Sequence, residues 1–485
     1  MMTNTNPILF PPKIWLYLGI SALGGLLALA QPLAGVVVFS VGFVGVIAVS
    51  PPVGIGLYIL LAPFPLGIIF HHHKFYVSDL MAIMLAIWLL FRSWREGGIR
   101  SAWHTFMVKE YRNPLILVLG LSVLSLAATL SRIGTTVKIF EYIEFFVVIV
   151  ALIRYTTFNA PAVRNFYVKV LAFTVSLVTL DGLYQFMFQL GPAVNIVDVH
   201  HVRAVAFFGQ PNVFGAFNDM TFPLLLALIV FGSEKLPKRW LTAALVIEAL
   251  GVVISYSRGS WVADAAAVFF MGLVVWGTKG RAVLGKFALY GIAIPIAMFA
   301  VTMGLGKIDL SHTTIASAYH KNTLERLRTS VTAIFHPSSH FDTNQRLLIW
   351  KSAFEAIKSH PWLGVGLGNF HLFIAAHPPK GLAAVPPMAH NFYLEWGADL
   401  GIGGIIAGLW YQWTWLKSIW GLMKQRAQAL SGETYAWVLG GFGTFVAFIV
   451  HNWVDFMIDH GVIVPLLLAL GIVAAIATEI RAEKA

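Results

Sequence analysis

Long apolar runs alternate with short polar segments along most of the chain. A helix needs about 20 mainly apolar residues to cross a bilayer, so these runs predict about 12–14 membrane helices, the lower number applying if two early runs are re-entrant. An open sheet edge cannot satisfy its hydrogen bonds in lipid, and the predicted fold class is therefore an all-α polytopic membrane protein. The runs are residues 14–31, 33–50, 52–70, 77–92, 114–130, 138–153, 166–188, 213–231, 240–257, 260–277, 287–305, 392–413, 436–451 and 461–479.

The segments between the runs alternate in charge. One set is rich in Lys and Arg, and the positive-inside rule places it, with both termini, in the cytoplasm. The other set is then extracytoplasmic, and its longest member contains helix-like stretches at residues 322–334 and 344–359. We therefore predict three parts: membrane helices with short loops at 1–305, one large folded extracytoplasmic loop at 306–391, and C-terminal membrane helices at 392–485.

Composition supports the membrane assignment. Hydrophobic residues make up 58% of the chain and charged residues only 11%, whereas soluble domains are about 25% charged. The net charge of +11 would suggest nucleic acid in a soluble protein, but here the cations belong to membrane-flanking loops, and we expect no nucleic-acid partner. The chain has no cysteine, which excludes disulfides, zinc–thiolate sites and a cysteine nucleophile.

Arg and His residues outnumber carboxylates in the predicted extracytoplasmic segments. This bias indicates an anionic ligand, because a planar guanidinium group donates two hydrogen bonds to phosphate at once. Arg258 lies between two apolar runs with almost no loop, in the sequence Ser-Tyr-Ser-Arg-Gly-Ser of residues 255–260. An Arg near bilayer depth is costly without a partner, which makes Arg258 a candidate functional residue. The alternative is an Arg that only extends to the lipid headgroups.

His390 is the candidate general base. It begins the sequence His-Asn-Phe-Tyr-Leu-Glu, where the large loop enters a helix, and a neutral imidazole can take a proton from a hydroxyl near neutral pH. The alternative is a capping or buried histidine without chemistry. The adjacent histidines at 71–73 and 200–201 lack the spacing and the nearby carboxylates of a metal site, so we expect no metal and no other cofactor.

Several acidic residues fall within the apolar runs. They could form a proton or ion pathway, as in a transporter, or pair with cations such as Lys138 and Arg258. Spacing alone leaves both interpretations open, and a polysaccharide-lipid transporter therefore remains an alternative, although no internal repeat is visible. These acids are Glu141, Glu144, Asp181, Glu248 and Asp264.

Three stretches, in order, resemble motifs of the O-antigen ligase/O-antigen polymerase superfamily. Residues 203–213, Arg-Ala-Val-Ala-Phe-Phe-Gly-Gln-Pro-Asn-Val, resemble the family's R-x-x-G-x-F-x-N-P-N entry into a helix, with Gln210 where Asn is common and a late glycine at Gly209. Residues 257–260, Ser-Arg-Gly-Ser, are similar to its T/S-R-G-A motif. The third stretch runs from Arg346 through the glycine-rich residues 360–370 to His390 and Glu395. The resemblance covers about residues 200–405.

The resemblance implies a GT-C-like, metal-independent, inverting glycosyltransferase of the bacterial inner membrane, with an extracytoplasmic active site among membrane lipids. Its donor would be a glycan linked to undecaprenyl diphosphate. Its acceptor would be a hydroxyl of lipid A–core in a ligase, or a second lipid-linked repeat in a polymerase. The implied catalytic residues are His390 as the base with Arg203 and Arg258 at the diphosphate, and the implied substrate-binding residues are Arg346, Asn212, Asn391 and Tyr393.

Overall fold

A computed structural model describes residues 9–70, 73–109, 111–188, 195–198, 201–305, 341–426, 430, 432–459 and 461–483. Two parts of the sequence-based interpretation lie outside these residues, namely the predicted helix at 322–334 and most of the His71–His73 run.

The first part of the described chain is helical with one short hairpin. Helices α1 (Ile14–Ala28), α2 (Pro32–Val49) and α3 (Pro51–Leu61) precede strands β1 (Gly67–Phe70) and β2 (His73–Tyr76). There follow α4 (Val77–Phe106), α5 (Arg112–Leu124), α6 (Arg132–Ile143), which continues through a π-helical segment (Glu144–Ile149) into α7 (Val150–Thr157), and α8 (Pro161–Phe188).

The remaining elements carry the motifs. A second hairpin, β3 (Asn195–Asp198) and β4 (His201–Arg203), leads into α9 (Pro211–Phe231), α10 (Lys238–Ile254), α11 (Arg258–Lys279), α12 (Arg281–Ala288) and α13 (Ile294–Leu305). After residue 340 come α14 (Phe341–Ser359), α15 (Phe370–Ala376), α16 (Phe392–Leu400), α17 (Ile402–Arg426), α18 (Gly432–His451) and α19 (Val464–Ala482).

Within the described residues, eight helical segments are long and apolar enough to cross a membrane, and three shorter apolar helices accompany them. The prediction of an all-α polytopic membrane protein is therefore confirmed, with two short antiparallel hairpins added. The eight segments are Pro32–Val49, Val77–Phe106, Pro161–Phe188, Pro211–Phe231, Arg258–Lys279, Arg281–Thr302, Gly432–His451 and Val464–Ala482.

Two predicted spans differ from the observed elements. The run at 52–70 ends its helix at Leu61, and the chain then turns into the first hairpin. The run at 392–413 is broken at Gly401, whose φ of 72° ends α16 before α17 begins. A Cβ at this position would lie 2.4 Å from the carbonyl oxygen of Pro361, so glycine allows both the left-handed turn and the close approach of the loop.

The chain forms two compact units. The first contains Met1–Lys109, Ile143–Thr174 and Leu470–Ala485, and the second contains Glu110–Tyr142 and Val175–Ala469. In the first unit, the buried Arg164 forms an ion pair with Glu479, and Tyr58 donates a hydrogen bond of 2.9 Å to Glu144. In the second unit, α9 is the central helix. Its most apolar 18-residue stretch is entirely buried, because the helix packs against α10, α11 and α18.

The described residues of the segment 306–391, from Phe341 onward, are folded. Helices α14 and α15 pack their apolar faces around a buried cluster of Ile349, Ala353, Ala356, Val365, Phe370, Phe373, Ile374, Ala389 and Ala398. The glycine-rich turn between the two helices is held by the carboxylate of Asp399, which accepts hydrogen bonds from the backbone N–H groups of Gly368 (2.6 Å), Asn369 (3.1 Å) and Phe370 (3.0 Å). This turn is therefore tied to the C-terminal end of α16.

Candidate functional site

His390 lies on a short segment that is fixed to the chain following α18. The N–H of Phe392 donates to the carbonyl of Asn452 (2.9 Å), and the side-chain amide of Asn391 donates to the carbonyl of Trp453 (2.8 Å). The imidazole Nδ1 of His390 donates to Oδ1 of Asp455 (2.8 Å). Three successive residues thus bind the segment 452–455, and this contact defines the candidate active site.

The His390–Asp455 pair has the geometry of an oriented general base. The bond to Asp455 uses Nδ1, so Nε2 is the ring nitrogen that can accept a proton. The side chain of His390 is 20% exposed, whereas that of Asp455 is 3% exposed. The imidazole can therefore meet a substrate from a position that the buried carboxylate sets.

Asp455 is held as an anion. Burial alone raises the pKa of this carboxyl, but the charge and hydrogen bond of His390 and the charge of Arg346 outweigh it and lower the pKa below the usual range of an aspartate. Oδ1 also accepts the N–H of Phe456 (3.0 Å). An ionised carboxylate in this position would stabilise an imidazolium at His390.

The second carboxylate oxygen of Asp455 contacts Asn212 and Arg346, two residues of the family-like motifs. Oδ2 accepts the side-chain amide of Asn212 (2.8 Å) and lies 3.6 Å from Nη2 of Arg346. The amide oxygen of Asn212 in turn accepts Nη2 of Arg203 (2.8 Å), and Nε of Arg203 donates to the carbonyl of Ser255 (2.8 Å). The structure therefore connects Arg203, Asn212, Arg346 and His390 through one carboxylate.

Local sequence explains how these side chains are presented. Asn212 lies in the first turn of α9, which begins at Pro211, and proline is favoured at that position because its missing N–H needs no partner there. Asn391 caps α16, since its side-chain oxygen accepts the N–H groups of Tyr393 and Leu394 (3.0 Å each). His390 therefore directly precedes a helix whose start is well defined.

Left-handed backbone conformations occur around the site. Among the described non-glycine residues with positive φ are Ala206 (46°), Tyr256 (50°) and His390 (49°). Ala206 follows Arg203, Tyr256 precedes Arg258, and His390 is the candidate base itself. Such conformations cost about 1–3 kcal/mol each and persist only where surrounding contacts enforce them. The fold is thus enforcing local geometry at each of the three motifs.

Arg258 is the first residue of α11 and is half-buried. The helix is capped by Ser257, whose side chain accepts the N–H of Ser260. A Cβ on the next residue, Gly259, would lie 2.8 Å from Nε2 of His451 and 3.2 Å from Val454. The glycine therefore lets the start of α11 approach the segment that carries Asp455. Arg258, the first residue of α11, lies next to this point of approach.

A second His–Asp pair lies within the helices. Nδ1 of His451 lies 2.6 Å from Oδ2 of Asp219, and the two side chains are 1% and 0% exposed. His451 is four residues before Asp455, so the two pairs lie on adjoining parts of the chain. The inner pair joins α9 to α18, and its burial indicates a packing role.

Asn391 and Tyr393, which the resemblance implied as substrate-binding residues, make internal contacts. The amide of Asn391 caps α16 and binds Trp453, as described above. The hydroxyl of Tyr393 donates to Gln412 (2.8 Å), and its ring packs on that of Trp453, with centroids 4.6 Å apart. Both side chains are at least nine-tenths buried, so their described contacts position the His390 segment.

The acidic residues in the apolar runs have different surroundings. Glu141 pairs with Lys138 at 2.6 Å, as one of the two interpretations expected, and Asp181 accepts the side-chain amide of Gln185 (2.8 Å). Glu248 is completely buried in α10. At least part of this set therefore serves local pairing within the fold.

Sequence reasoning missed Asp455. It is 65 positions from His390 and belongs to no motif that was recognised. The available signal was its location: it follows the run at 436–451 on the predicted extracytoplasmic side, in the sequence His-Asn-Trp-Val-Asp of residues 451–455.

The fold and the site define a multi-pass membrane protein in which a His–Asp pair lies beside an arginine. Residues 243–409 match the family model described as O-antigen ligase. This match confirms the resemblance to the O-antigen ligase/polymerase superfamily, a glycosyltransferase-like family that in general acts on a lipid-linked glycan and a glycan acceptor. Arg258, Arg346, His390, Asn391 and Tyr393 lie within the matched residues, and Arg203, Asn212 and Asp455 lie outside them. No curated protein matches the chain.

Proposed function

We propose that the protein transfers a glycan from undecaprenyl diphosphate to an acceptor hydroxyl on the outer face of the bacterial inner membrane. The preferred acceptor is lipid A–core, which would make the protein an O-antigen ligase. The observation that carries the proposal is the network in which Asp455 binds His390, Asn212 and Arg346. It brings a base for a hydroxyl next to cations that suit a diphosphate.

In the proposed reaction, Nε2 of His390 removes the proton from the acceptor hydroxyl. The acceptor oxygen forms a bond to the anomeric carbon while the bond from that carbon to the diphosphate oxygen breaks, and its electron pair stays on the lipid diphosphate. The proton remains on His390, where Asp455 stabilises the charge. A single displacement of this kind inverts the anomeric centre and needs no metal.

The arginines are assigned to the leaving group. Negative charge grows on the diphosphate as the glycosidic bond breaks, and fixed guanidinium groups stabilise such charge without having to reorganise. Two nitrogens of Arg203 already donate hydrogen bonds to Asn212 and Ser255, and these bonds orient its guanidinium group. Arg258 and Arg346 complete this set, while Asn212, Asn391 and Tyr393 hold the acid–base pair in place.

A reconstituted transfer assay tests the proposal. Purified protein is given undecaprenyl-diphosphate glycan with either lipid A–core or a second lipid-linked repeat. Product on lipid A–core supports the ligase, and a ladder on the carrier lipid supports the alternative, a polymerase. Absence of product with both acceptors, from folded protein and a verified donor, would contradict both. Added chelator should leave the rate unchanged.

The membrane orientation is tested separately. Reporter fusions after Lys109 and within residues 340–380 should lie on opposite sides of the inner membrane, with the second outside and both termini cytoplasmic. A cytoplasmic signal from the second fusion would contradict an extracytoplasmic site.

The second candidate function, a polysaccharide-lipid transporter, is favoured only by buried acids such as Glu248. It predicts movement of the lipid carrier across the bilayer without a new glycosidic bond.

A further inference from the structure

Helix α14 has apolar residues on two opposite faces. One face carries Ile349, Ala353 and Ala356 and packs into the buried cluster of the large loop. The other face is exposed and carries a row of alternating apolar and lysine side chains, spaced three or four residues apart. The row continues to a tryptophan just beyond the end of the helix. We call this row the α14 stripe: Leu347, Lys351, Phe354, Lys358 and Trp362.

The large apolar side chains of the α14 stripe are strongly exposed. Leu347 is 51%, Phe354 is 52% and Trp362 is 80% exposed. Single exposed apolar residues are common on protein surfaces, but a row aligned on one face indicates an interaction surface. The chemistry of the row should therefore identify what covers it.

An apolar surface on α17 continues this row. The N–H of Ile402 donates to the carbonyl of Pro361 (2.9 Å), which joins the residue before Trp362 to the first residue of α17. From there, exposed apolar side chains follow one side of α17 at spacings of three or four residues. They are Ile402, Ile406, Leu409, Trp410 and Trp413.

The charges in the α14 stripe suit lipid phosphates. Lys351 and Lys358 alternate with the apolar side chains, and both are exposed. Lysine can bury its hydrocarbon stem along an apolar surface while its ammonium group reaches the headgroups. Helices with Trp, Phe and Leu beside Lys lie in the membrane interface, where they bury about 5–10 Å into the headgroup boundary.

We propose that the α14 stripe docks on the phospholipid surface. Leu347, Phe354 and Trp362 enter the boundary between headgroups and acyl chains, and Lys351 and Lys358 bind phosphates of anionic lipids. Arg346 immediately precedes the stripe and pairs with Asp455. Docking would therefore set the depth of the site at the level of the headgroups. This last consequence rests on the proposed function, because a lipid-linked diphosphate lies at that level.

The absence of cysteine allows a direct test by spin labelling. Single variants Phe354→Cys and Leu347→Cys are labelled with a nitroxide and reconstituted into vesicles that contain phosphatidylglycerol. Phe269→Cys, at an exposed position of the membrane-crossing segment Arg258–Lys279, serves as the lipid-facing reference. Lys380→Cys, on an exposed turn after α15, is the aqueous control. Collision of the nitroxide with oxygen reports lipid, and collision with a water-soluble nickel complex reports water.

We expect positions 347 and 354 to resemble position 269, with more oxygen than nickel collision, and position 380 to show the reverse. Nickel collision at 347 and 354 equal to that at 380 would overturn the docking, and so would protection from both reagents, which would indicate protein cover. This readout does not require activity, so it is independent of whether the transfer reaction is confirmed.

A charge variant tests the phosphate contacts. Near an anionic membrane each Lys contributes about 1 kcal/mol, or about fivefold in a binding constant. Transfer in vesicles should rise with the fraction of phosphatidylglycerol in the natural protein, and Lys351→Gln with Lys358→Gln should remove most of this dependence. Lys380→Gln is the matched control. Equal dependence in the double variant and the control would contradict the role of the two lysines.

Discussion

Among the described residues, two His–Asp pairs lie on neighbouring parts of the same segment, and their surroundings differ. In the outer pair, His390 and Asp455 are 2.8 Å apart and the imidazole is 20% exposed. In the inner pair, His451 and Asp219 are 2.6 Å apart and both side chains are almost completely buried. The same two residue types thus occur in an accessible and in an enclosed setting.

The two pairs also differ in the groups that surround them. Asp455 accepts a hydrogen bond from Asn212 and lies next to Arg346, so its partner His390 lies beside a guanidinium group. Nε2 of His451 lies close to Gly259, where a Cβ would be 2.8 Å away, and the side chains of this pair are 1% and 0% exposed. A His–Asp distance is therefore a poor indicator of catalysis, and access together with neighbouring charge distinguishes the two pairs.

Loss of the outer imidazole should have the largest effect. His390→Ala removes the base, which typically contributes about 10²–10⁴-fold, and transfer should fall by at least that factor while expression and membrane insertion persist. The rate is measured in the reconstituted assay. His377→Ala, at an exposed histidine of the same loop, is the control and should keep its activity. Near-natural turnover by His390→Ala would remove His390 from the mechanism.

Asp455→Asn tests whether the outer pair works as a unit. The amide can still bind Nδ1, but it cannot stabilise the imidazolium and favours the wrong tautomer. We expect the rate constant to fall by about 10²-fold or more, with a smaller change in KM. The double variant with His390→Ala should be little worse than His390→Ala alone. Independent, multiplying effects would argue against coupling of the two residues.

Arg258→Lys tests the arginine fork at the diphosphate. A lysine keeps the charge but cannot donate two parallel hydrogen bonds, so transfer should decrease by about 10-fold or more, since one lost charge-assisted hydrogen bond contributes about 1.5–3 kcal/mol. Arg239→Lys, at an exposed position in the first turn of α10, provides the control. An unchanged rate in Arg258→Lys would favour an arginine that only reaches the headgroups.

The inner pair should affect stability more than chemistry. His451→Ala leaves the buried carboxyl of Asp219 without its hydrogen-bonded partner, which costs about 1–3 kcal/mol. We expect a lower Tm in detergent, together with a decrease in activity per folded molecule that is much smaller than for His390→Ala. A loss of activity as large as that of His390→Ala at unchanged Tm would contradict the distinction between the pairs.

The pH dependence of stability should give the smallest effect. The pKa of Asp455 is lowered in the folded protein, so its stabilising contribution is present above the pKa of an unfolded aspartate, about 3.9, and is lost as the pH falls through the folded value. The difference in Tm between the natural protein and Asp455→Asn should therefore narrow from pH 6 to pH 3. A constant or widening difference would contradict a stabilising anion.

The membrane class and most helices could be predicted because hydrophobic periodicity and length are local properties. Residues 211–231 and 432–451, for example, lie close to the predicted runs at 213–231 and 436–451. The predicted membrane helix at 52–70 was wrong beyond Leu61, because composition does not distinguish a helix from an apolar hairpin over a few residues. The break at Gly401 depends on the approach of Pro361, a contact that no local pattern contains.

The sequence by itself determined that the chain is a multi-pass membrane protein, that the charge of its loops alternates, and that Arg203, Arg258, Arg346 and His390 are candidates for chemistry. Only the tertiary structure decided that Asp455 joins Arg346, Asn212 and His390, and that Asn391 and Tyr393 face inward. The physical reason is that apolar burial and loop charge depend on residue type and local order. A hydrogen-bonded carboxylate network depends on the packing of α9, α14, α16 and the end of α18, which are far apart in the chain.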